Sequence, residues 1–252
     1  SYTSVALPPA GEQAAWERWA WFREHGLGQY ADLRNTPSVD GTSRLSTYLR
    51  WGVLHPNQLI AECDDSPAAE SFVRELCWRE FYADVLFHRP ESAWKNLDGR
   101  FDRMQVDTDD AALERFAVWQ QGRTGFPIVD AGMRQLAATG WMHNRVRMIV
   151  GSFLVKDLPL PWQWGARHFM DHLVDGDLAS NNHGWQWVAG SGTDAAPYHR
   201  MLNPTLQGER FDPSGAYAQQ WIEEWPLTGP PMVDHGVERA EALRRRAALS
   251  VA

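Results

Sequence analysis

Apolar residues recur at three- and four-residue spacing along most of this chain, and that period admits helices and little else. The pattern runs through residues 14–25, 66–88, 111–121, 128–139, 144–155 and 161–174. Alternation with period two, the mark of a half-buried strand, is scarce, and no Asn-Gly hairpin signal appears. Breaks fall at Asn35-Thr-Pro, Arg89-Pro, Gly125-Phe-Pro, Asp157-Leu-Pro and Asn203-Pro, with no long linker between them. The expected fold class is therefore all-α, a single helical domain over residues 1–252, without internal repeats. Residues 99–110 and 189–215 are expected as long loops, which in a compact helical domain are more often functional than accidental.

Composition narrows what such a domain does. At 252 residues, 44% hydrophobic and 22% charged, the chain has the make-up of a folded protein with a substantial core. No run of about 18 uncharged apolar residues is present, so no membrane partner is expected. Residues 1–10 lack the basic start and apolar run of a signal peptide, and no initiator Met is present, as in a partial or processed chain. Cys63 and Cys77 are too few for a disulfide framework and too isolated for zinc, which fits a reduced, cytoplasmic setting. The 14 Trp exceed what packing alone needs. The net charge of −8 argues against indiscriminate nucleic-acid binding. Residues 131–156 nevertheless carry Arg134, Arg145, Arg147 and Lys156 and no acid, a local basic face on an acidic body.

Four constellations carry chemistry. In Asp40-Gly-Thr-Ser-Arg-Leu-Ser-Thr-Tyr-Leu49, hydroxyls and Arg44 follow a glycine turn into a helix, a ready anion site; plain capping by Thr42 and Ser43 is the simpler reading of the spacing. In Arg74-Glu-Leu-Cys-Trp-Arg-Glu-Phe-Tyr82, one helix face holds Glu75, Trp78, Arg79 and Tyr82, fit to stack a base beside a charge, or simply to form a Glu–Arg pair. In Thr139-Gly-Trp-Met-His-Asn-Arg-Val-Arg-Met148, Asn144 and Met148 share a face beside Arg145, with Arg147 on another side. His143 is a general acid or, as is commoner, structural. This helix is the best candidate for meeting DNA phosphates. In Asp175-Gly-Asp-Leu-Ala-Ser-Asn-Asn-His-Gly-Trp-Gln-Trp187, carboxylates and amides beside Trp suit a hydrogen-bonding organic ring. A metal reading draws on His168 and His172 but lacks a convincing third ligand.

Together with Gln121-Gly-Arg-Thr-Gly-Phe-Pro-Ile-Val-Asp-Ala-Gly-Met-Arg-Gln-Leu136 and Gly192-Thr-Asp-Ala-Ala-Pro-Tyr198, these segments resemble the catalytic domain of the photolyase–cryptochrome family, specifically a class I cyclobutane-pyrimidine-dimer photolyase. The likeness covers residues 10–211 and leaves the tail 212–252 less defined. It implies FAD in a bent form, active as FADH⁻, held by Tyr30, Thr42, Ser43, Arg44, Leu45, Ser46, Phe72, Glu75, Arg79, Trp141, Arg147, Asp175, Asp177 and Asn181. It implies a pocket for a flipped dimer, with Trp78 and Trp187 stacking, Glu75 and Asn144 hydrogen-bonding and Met148 alongside. UV-damaged DNA is the implied partner of a monomer, its backbone held by Arg34, Arg79, Arg145, Arg200 and Gln207, with Trp78 and Asn144 meeting DNA through the dimer. Enzymes of this kind extract the base from the duplex.

The resemblance also marks departures. Trp185 and Trp162 match the inner and middle members of an electron relay to the flavin, but Val106 stands where the outer Trp belongs; Trp164 and Trp94 are the candidate substitutes. Phe72 replaces a Trp of some relatives. Between Glu224-Trp-Pro and Pro231-Met-Val the chain is shorter than is usual. The family's N-terminal α/β domain is absent from the sequence, so no antenna chromophore is expected in this domain. Asn181, where plant cryptochromes carry Asp, and the short tail after His235 favour repair over signalling. A metal-dependent nucleic-acid hydrolase is the third reading, with no metal expected under the first.

Overall fold

A computed structural model describes residues 5–193 and 200–249. Among them the structure is helical, with no strand. The first half comprises α1 (Glu12–His25), α2 (Tyr30–Leu33), α3 (Ser46–Arg50), α4 (Pro56–Ala61) and α5 (Pro67–His88). The second comprises α6 (Asp110–Gln120), α7 (Pro127–Thr139), α8 (Asn144–Ser152), α9 (Trp162–His172), α10 (Leu178–Ala189), α11 (Pro204–Phe211), α12 (Ala216–Trp221) and α13 (His235–Ala248).

Local chemistry sets the main boundaries. Ser66 Oγ accepts the Ala69 N–H at the start of α5, Asp109 Oδ1 that of Ala112 at α6, and Asp177 Oδ1 that of Ser180 at α10. Each such cap satisfies one of the N–H groups that a helix start leaves bare, worth about 1 kcal/mol. Gly140 and Gly190 end α7 and α10 in the left-handed region, at φ 64° and 89°. The backbone after Ser152 does not continue as α-helix to Val155. It widens into a π turn over Phe153–Asp157, which redirects the chain toward α9.

Two apolar cores result. The first gathers Ala15, Trp19, Phe22, Tyr30, Leu45 and Phe72 from α1–α5 and the loops between them. The larger second core takes Trp119, Met133, Val146, Phe153, Phe169 and Trp185 from α6–α10. Gly132 has no side chain because a Cβ there would stand 2.5 Å from Val146 Cγ1; its absence lets α7 lie close on α8. The long helix α5 starts in the first core and packs along α10 in the second, so the two cores form one body.

Three expectations need correction. Residues 189–215 are not wholly a loop, because Asn203 and Pro204 open α11. Asn203 Oδ1 accepts the Leu206 N–H at 3.1 Å, and a proline is tolerated at the first helical position, where its missing N–H is not needed. Gly99–Arg103, within the other expected loop, forms a 3₁₀ turn. The tail after His235 is also more organised than its sequence implies. It is helix α13, tied down by His235 Nδ1 to the buried Asp157 carboxylate at 2.6 Å and by Arg245 to Asp107 at 2.8 Å.

Candidate functional site

The seam between the two cores gathers polar groups from both. On the first side, Arg18 braces the loop before α3, donating to both Asp40 oxygens and to the carbonyls of Thr42 and Ser43 at 2.6–2.8 Å. Held there, Arg44 takes a left-handed backbone at φ 53°, unusual for a residue with a Cβ. Its guanidinium lies 4.8 Å from the Trp141 ring centroid, across the seam. Capping does not explain Thr42 and Ser43. Leu45 is fully buried, α3 begins only at Ser46, and its cap makes no side-chain bond. Ser43 Oγ instead accepts the Leu45 N–H at 3.3 Å, and among the described residues no group engages the hydroxyls of Thr42 or Ser46.

Across the seam, Asp175 and Arg147 form the main ion pair. The carboxylate, only 2% exposed, receives the guanidinium at 2.8 and 3.1 Å, while Arg147 Nε donates to Met142 O at 2.7 Å. Neither partner is available from its own neighbourhood in the sequence: the acid-free stretch around Arg147 is completed by an acid from the loop before α10. Asp177 Oδ1 is used as the cap of α10. Asn181 has a determined orientation. The buried Asn182 donates its Nδ2 to Ala93 O, so its Oδ1 must accept from Asn181 Nδ2, at 2.8 Å. Asn181 Nδ2 also donates to Ala166 O at 3.0 Å, which leaves its carbonyl oxygen as an acceptor for a further N–H donor.

His143 is the cap of α8, its Nδ1 accepting the Arg145 N–H at 3.2 Å. That bond puts the proton of the neutral ring on Nε2, which is buried without a partner among the described residues. Burial first, then the charges of Arg147, Arg44 and Arg145, push its pKa down to about 4. A general acid at neutral pH is thereby excluded. Because the folded value lies below the ordinary 6.5, the unfolded chain takes up the proton first as pH falls, and stability present above pH 6.5 is lost toward pH 4. Unfolding in urea is expected to cost about 1–2 kcal/mol less at pH 5 than at pH 7 through this group. His143→Asn, which keeps a capping acceptor, should remove that part of the pH slope; an unchanged slope would refute the assignment.

Glu75 does not pair with Arg79, as helical spacing alone allows. Arg34, from the end of α2, donates to Glu75 Oε1 at 2.6 Å and to Ser71 Oγ at 3.2 Å. Arg79 turns to Glu80 and to Leu49 O. Trp78 is 40% exposed, stacks on Tyr82 with ring centroids 5.8 Å apart, and Tyr82 lies parallel to His183 on α10. Tyr30 and Phe72 meet edge to face in the first core beneath them. Asn144 is exposed at the start of α8, and Met148 lies 3.5 Å from the Arg145 guanidinium.

The cations at this mouth lack carboxylate partners in part. Arg145 donates twice to Asn35 Oδ1, at 2.8 and 3.1 Å, and lies over the Phe211 ring at 4.7 Å. Burial and the neighbouring Arg34 and Arg210 guanidinia both disfavour its charge. Three like charges so placed attract a polyanion. Arg210 and Asn35 were not singled out from the sequence; Arg210 follows Gln207 by three residues, a signal legible only once Pro204 is read as a helix start. Arg200 lies 5.3 Å from the Trp187 ring, and Gln207 is half-buried on α11. Of the quoted run 192–198, residues 194–198 lie outside the described residues.

Behind the seam, Trp185 is 4% exposed and packs edge-on against Phe169 at 5.0 Å and Trp119 at 6.2 Å. Trp162, also buried, donates its Nε1 to Asn96 Oδ1 at 3.0 Å. It lines a cavity of about 240 Å³ together with Val106, Phe101, Lys156 and Arg245. Trp164 packs on Phe116, whereas Trp94 is 61% exposed and enters no ring contact among the described residues. The His168 and His172 rings lie 4.1 Å apart and tilted, with His168 Nδ1 bonded to Gln120. Among the described residues no three of His, Cys, Asp and Glu gather at one point.

Comparison with known proteins decides what this arrangement belongs to. Residues 72–228 match the family model for the FAD-binding domain of DNA photolyase. The chain belongs to the DNA photolyase family. It is 49% identical over 230 residues to the deoxyribodipyrimidine photo-lyase of Escherichia coli K12, covering 86% of this chain and 47% of that protein. The crystal structure of a class III photolyase from Agrobacterium tumefaciens superposes with a TM-score of 0.89 at 39% identity, covering 96% of this chain and 56% of that one. A cryptochrome from Synechocystis superposes with a TM-score of 0.84 at 28% identity, covering 97% and 57%. This photolyase-family chain thus spans about half the length of such relatives. No helix among its described residues is long and apolar enough to cross a membrane.

Proposed function

We propose that this chain binds FAD along the seam and, with the flavin reduced, uses light to split cyclobutane pyrimidine dimers in DNA. The observation that carries this reading is the meeting, at one seam, of Arg44 with Trp141 and of Arg147 with Asp175, beside an Asn181 carbonyl left as an acceptor. The donor set fits FAD. Arg44 and the unengaged hydroxyls of Thr42 and Ser46 suit its diphosphate, and the Asn181 carbonyl suits a ring N–H. The partnerless His143 Nε2 is a buried donor that a bound group or a water has to satisfy. Tyr30, Leu45 and Phe72 supply apolar wall from the first core, and Trp141 meets Arg44 from the other side. When bound, the reduced flavin supplies the photo-excited electron; the protein supplies orientation and charge.

In this reading Trp78 and Trp187 stack the extruded dimer, with Met148 beside it. Asn144 and Glu75 hydrogen-bond its base edges, and the Arg34 pair fixes the Glu75 carboxyl where negative charge develops. Arg34, Arg79, Arg145, Arg200 and Gln207 hold the flanking phosphates. Asp175 keeps Arg147 in place against Met142, and Asp177 sets the start of the helix that presents Asn181 and Trp187.

The test is to load the chain with FAD, record its visible spectrum, and illuminate it with thymine-dimer DNA under reducing conditions. Thymines restored only in the light support the proposal. A flavin-loaded chain without repair supports instead a light-signalling role, which the cryptochrome neighbour makes the second reading. A colourless chain defeats both. Glu75→Ala is expected to lower the repair yield by about tenfold to a hundredfold with FAD retained; loss of FAD would show that Glu75 serves the cofactor instead. Arg145→Ala should weaken DNA binding and reduce the slope of log affinity against log salt by about one. An unchanged slope would remove Arg145 from the phosphate contacts.

A further inference from the structure

The cavity of about 240 Å³ lies apart from the seam, where the segment 99–106, the π turn over Phe153–Asp157, the start of α9 and helix α13 come together. None of Arg44, Trp141, Arg147, Asp175 and Asn181 lines it. Its inner wall is apolar, with the buried rings of Trp162 and Phe101 beside Leu160 and Ala242. An apolar cavity of about 150 Å³ is enough for benzene, so this one has room for a ring with a substituent or for two fused rings. Exposed Asp102, Gln105 and Val106 stand at its outer side, which gives access from solvent. Ala242 and Arg245, on α13, fall beyond residues 72–228 that match the family model, so this wall is no part of what that match describes.

The charge of the inner wall is that of Lys156, whose residue is only 6% exposed. Its ammonium carries three N–H groups, of which one donates to the carbonyl of Arg200. Among the described residues Lys156 forms no ion pair, because the neighbouring Asp157 carboxyl is taken by His235. Burial first, then the like charges of Arg200 and Arg246, bring its pKa down to about 8, against the favourable pull of Asp157. At pH 7 it is therefore a buried cation held by a neutral carbonyl, a costly arrangement that an anion in the cavity would relieve. The other charges at the cavity are already matched. Arg245 pairs with Asp107 and Glu241, and Asp102 accepts from Asn96 Nδ2 at 2.7 Å.

We propose that this cavity binds a small aromatic carboxylate, its ring against Trp162 and Phe101 and its carboxylate on Lys156. Ring and charge are both required. The apolar wall and its two rings favour an aromatic body over an aliphatic one of equal charge. The remaining Lys156 N–H groups favour an ionised oxygen over a neutral one. A ligand held there touches the segment 99–106, the π turn and α13 together, so its binding stabilises the folded chain. The site shares none of the seam residues named above, so it stands independently of the flavin reading.

The experiment titrates the FAD-loaded chain with cinnamate, and in parallel with neutral cinnamamide and ringless hexanoate, by calorimetry and by the urea unfolding midpoint. Cinnamate is expected to bind at a single site and to raise the midpoint. The amide and hexanoate should each bind about tenfold or more weakly, the loss of a charge-assisted hydrogen bond in one and of ring burial in the other. Lys156→Met, which keeps the apolar stem, should make cinnamate and cinnamamide bind alike. Ala242→Phe, which fills the cavity from α13, should abolish binding with the flavin spectrum unchanged. Methyl-labelled methionine places the ligand without any substitution in the wall: magnetisation should pass from cinnamate to the Met104 methyl, which lines the cavity, and not to Met148 at the mouth of the seam. No cinnamate binding, equal binding of the amide, or transfer to Met148 in place of Met104 overturns the proposal and leaves the flavin reading standing. Unchanged affinity in a folded Ala242→Phe overturns it as well.

Discussion

Replacing Arg147 by Met is expected to destabilise the chain by about 3–5 kcal/mol, because it leaves a buried carboxylate without its partner. The Asp175 side chain is 2% exposed, and both of its oxygens receive the Arg147 guanidinium. Removing the cation takes away the interaction that offsets the desolvation of the anion. Exposed pairs such as Arg74–Glu70, with both side chains more than half exposed, contribute about 0–1 kcal/mol by comparison. Against a total stability of about 5–15 kcal/mol, the Arg147 loss is large. Urea unfolding of the wild type, Arg147→Met and the double variant Arg147→Met with Asp175→Asn checks it. The double variant should recover much of the loss, since no bare charge is then buried. A single-variant loss below about 1 kcal/mol would mean that water reaches Asp175. FAD retention is expected to fall in both variants, because this pair stands at the seam.

Gly165→Ala is the second large effect. A Cβ at this position would lie 2.2 Å from Trp185 Cη2, 2.5 Å from Cζ3 and 2.6 Å from Leu154 Cδ2. Neither neighbour can yield without disturbing the close-packed second core, so a loss of about 3 kcal/mol is expected. Trp185 is the side chain most displaced, and near-ultraviolet circular dichroism should change along with the unfolding midpoint. Gly151→Ala is the matched control. There the nearest atoms are Val188 Cγ2 at 3.3 Å and Trp185 Cζ3 at 3.5 Å, distances a small shift accommodates. If the two substitutions cost the same, close packing of α9 on Trp185 is not what Gly165 provides.

Much of this molecule is legible in its sequence, and the reason is periodicity. The six long amphipathic stretches became α1, α5, α6, α7, α8 and α9 with ends shifted by a few residues, because apolar spacing and caps such as Ser66 and Asp109 are local properties; α10 was not read from the spacing. Short helices were less legible. At Asn203-Pro204 the same residues that break one helix open another, and α13 is only weakly apolar, held by His235 on Asp157 and Arg245 on Asp107 instead of by a broad buried face.

The site divides along the same line. Sequence alone identified the residue types that suit a flavin and a nucleic acid, since motif order and spacing survive without coordinates. The family resemblance also marked Trp185, within that run, as the inner member of an electron relay. Which charges meet was a matter of tertiary structure. Helical spacing offers Glu75 to Arg79, yet Glu75 takes Arg34; the stretch around Arg147 holds no acid, yet Asp175 arrives from 28 residues away. Likewise, nothing in the spacing joins Trp185 on α10 to Trp119 on α6, or Phe116 on α6 to Trp164 on α9; these rings meet only when the helices pack. Period and capping act over a few residues along the chain, whereas ion pairs and ring contacts depend on which helices close on one another. The sequence by itself therefore determined the helices and the chemistry they carry, and packing of the two cores against each other decided the partners.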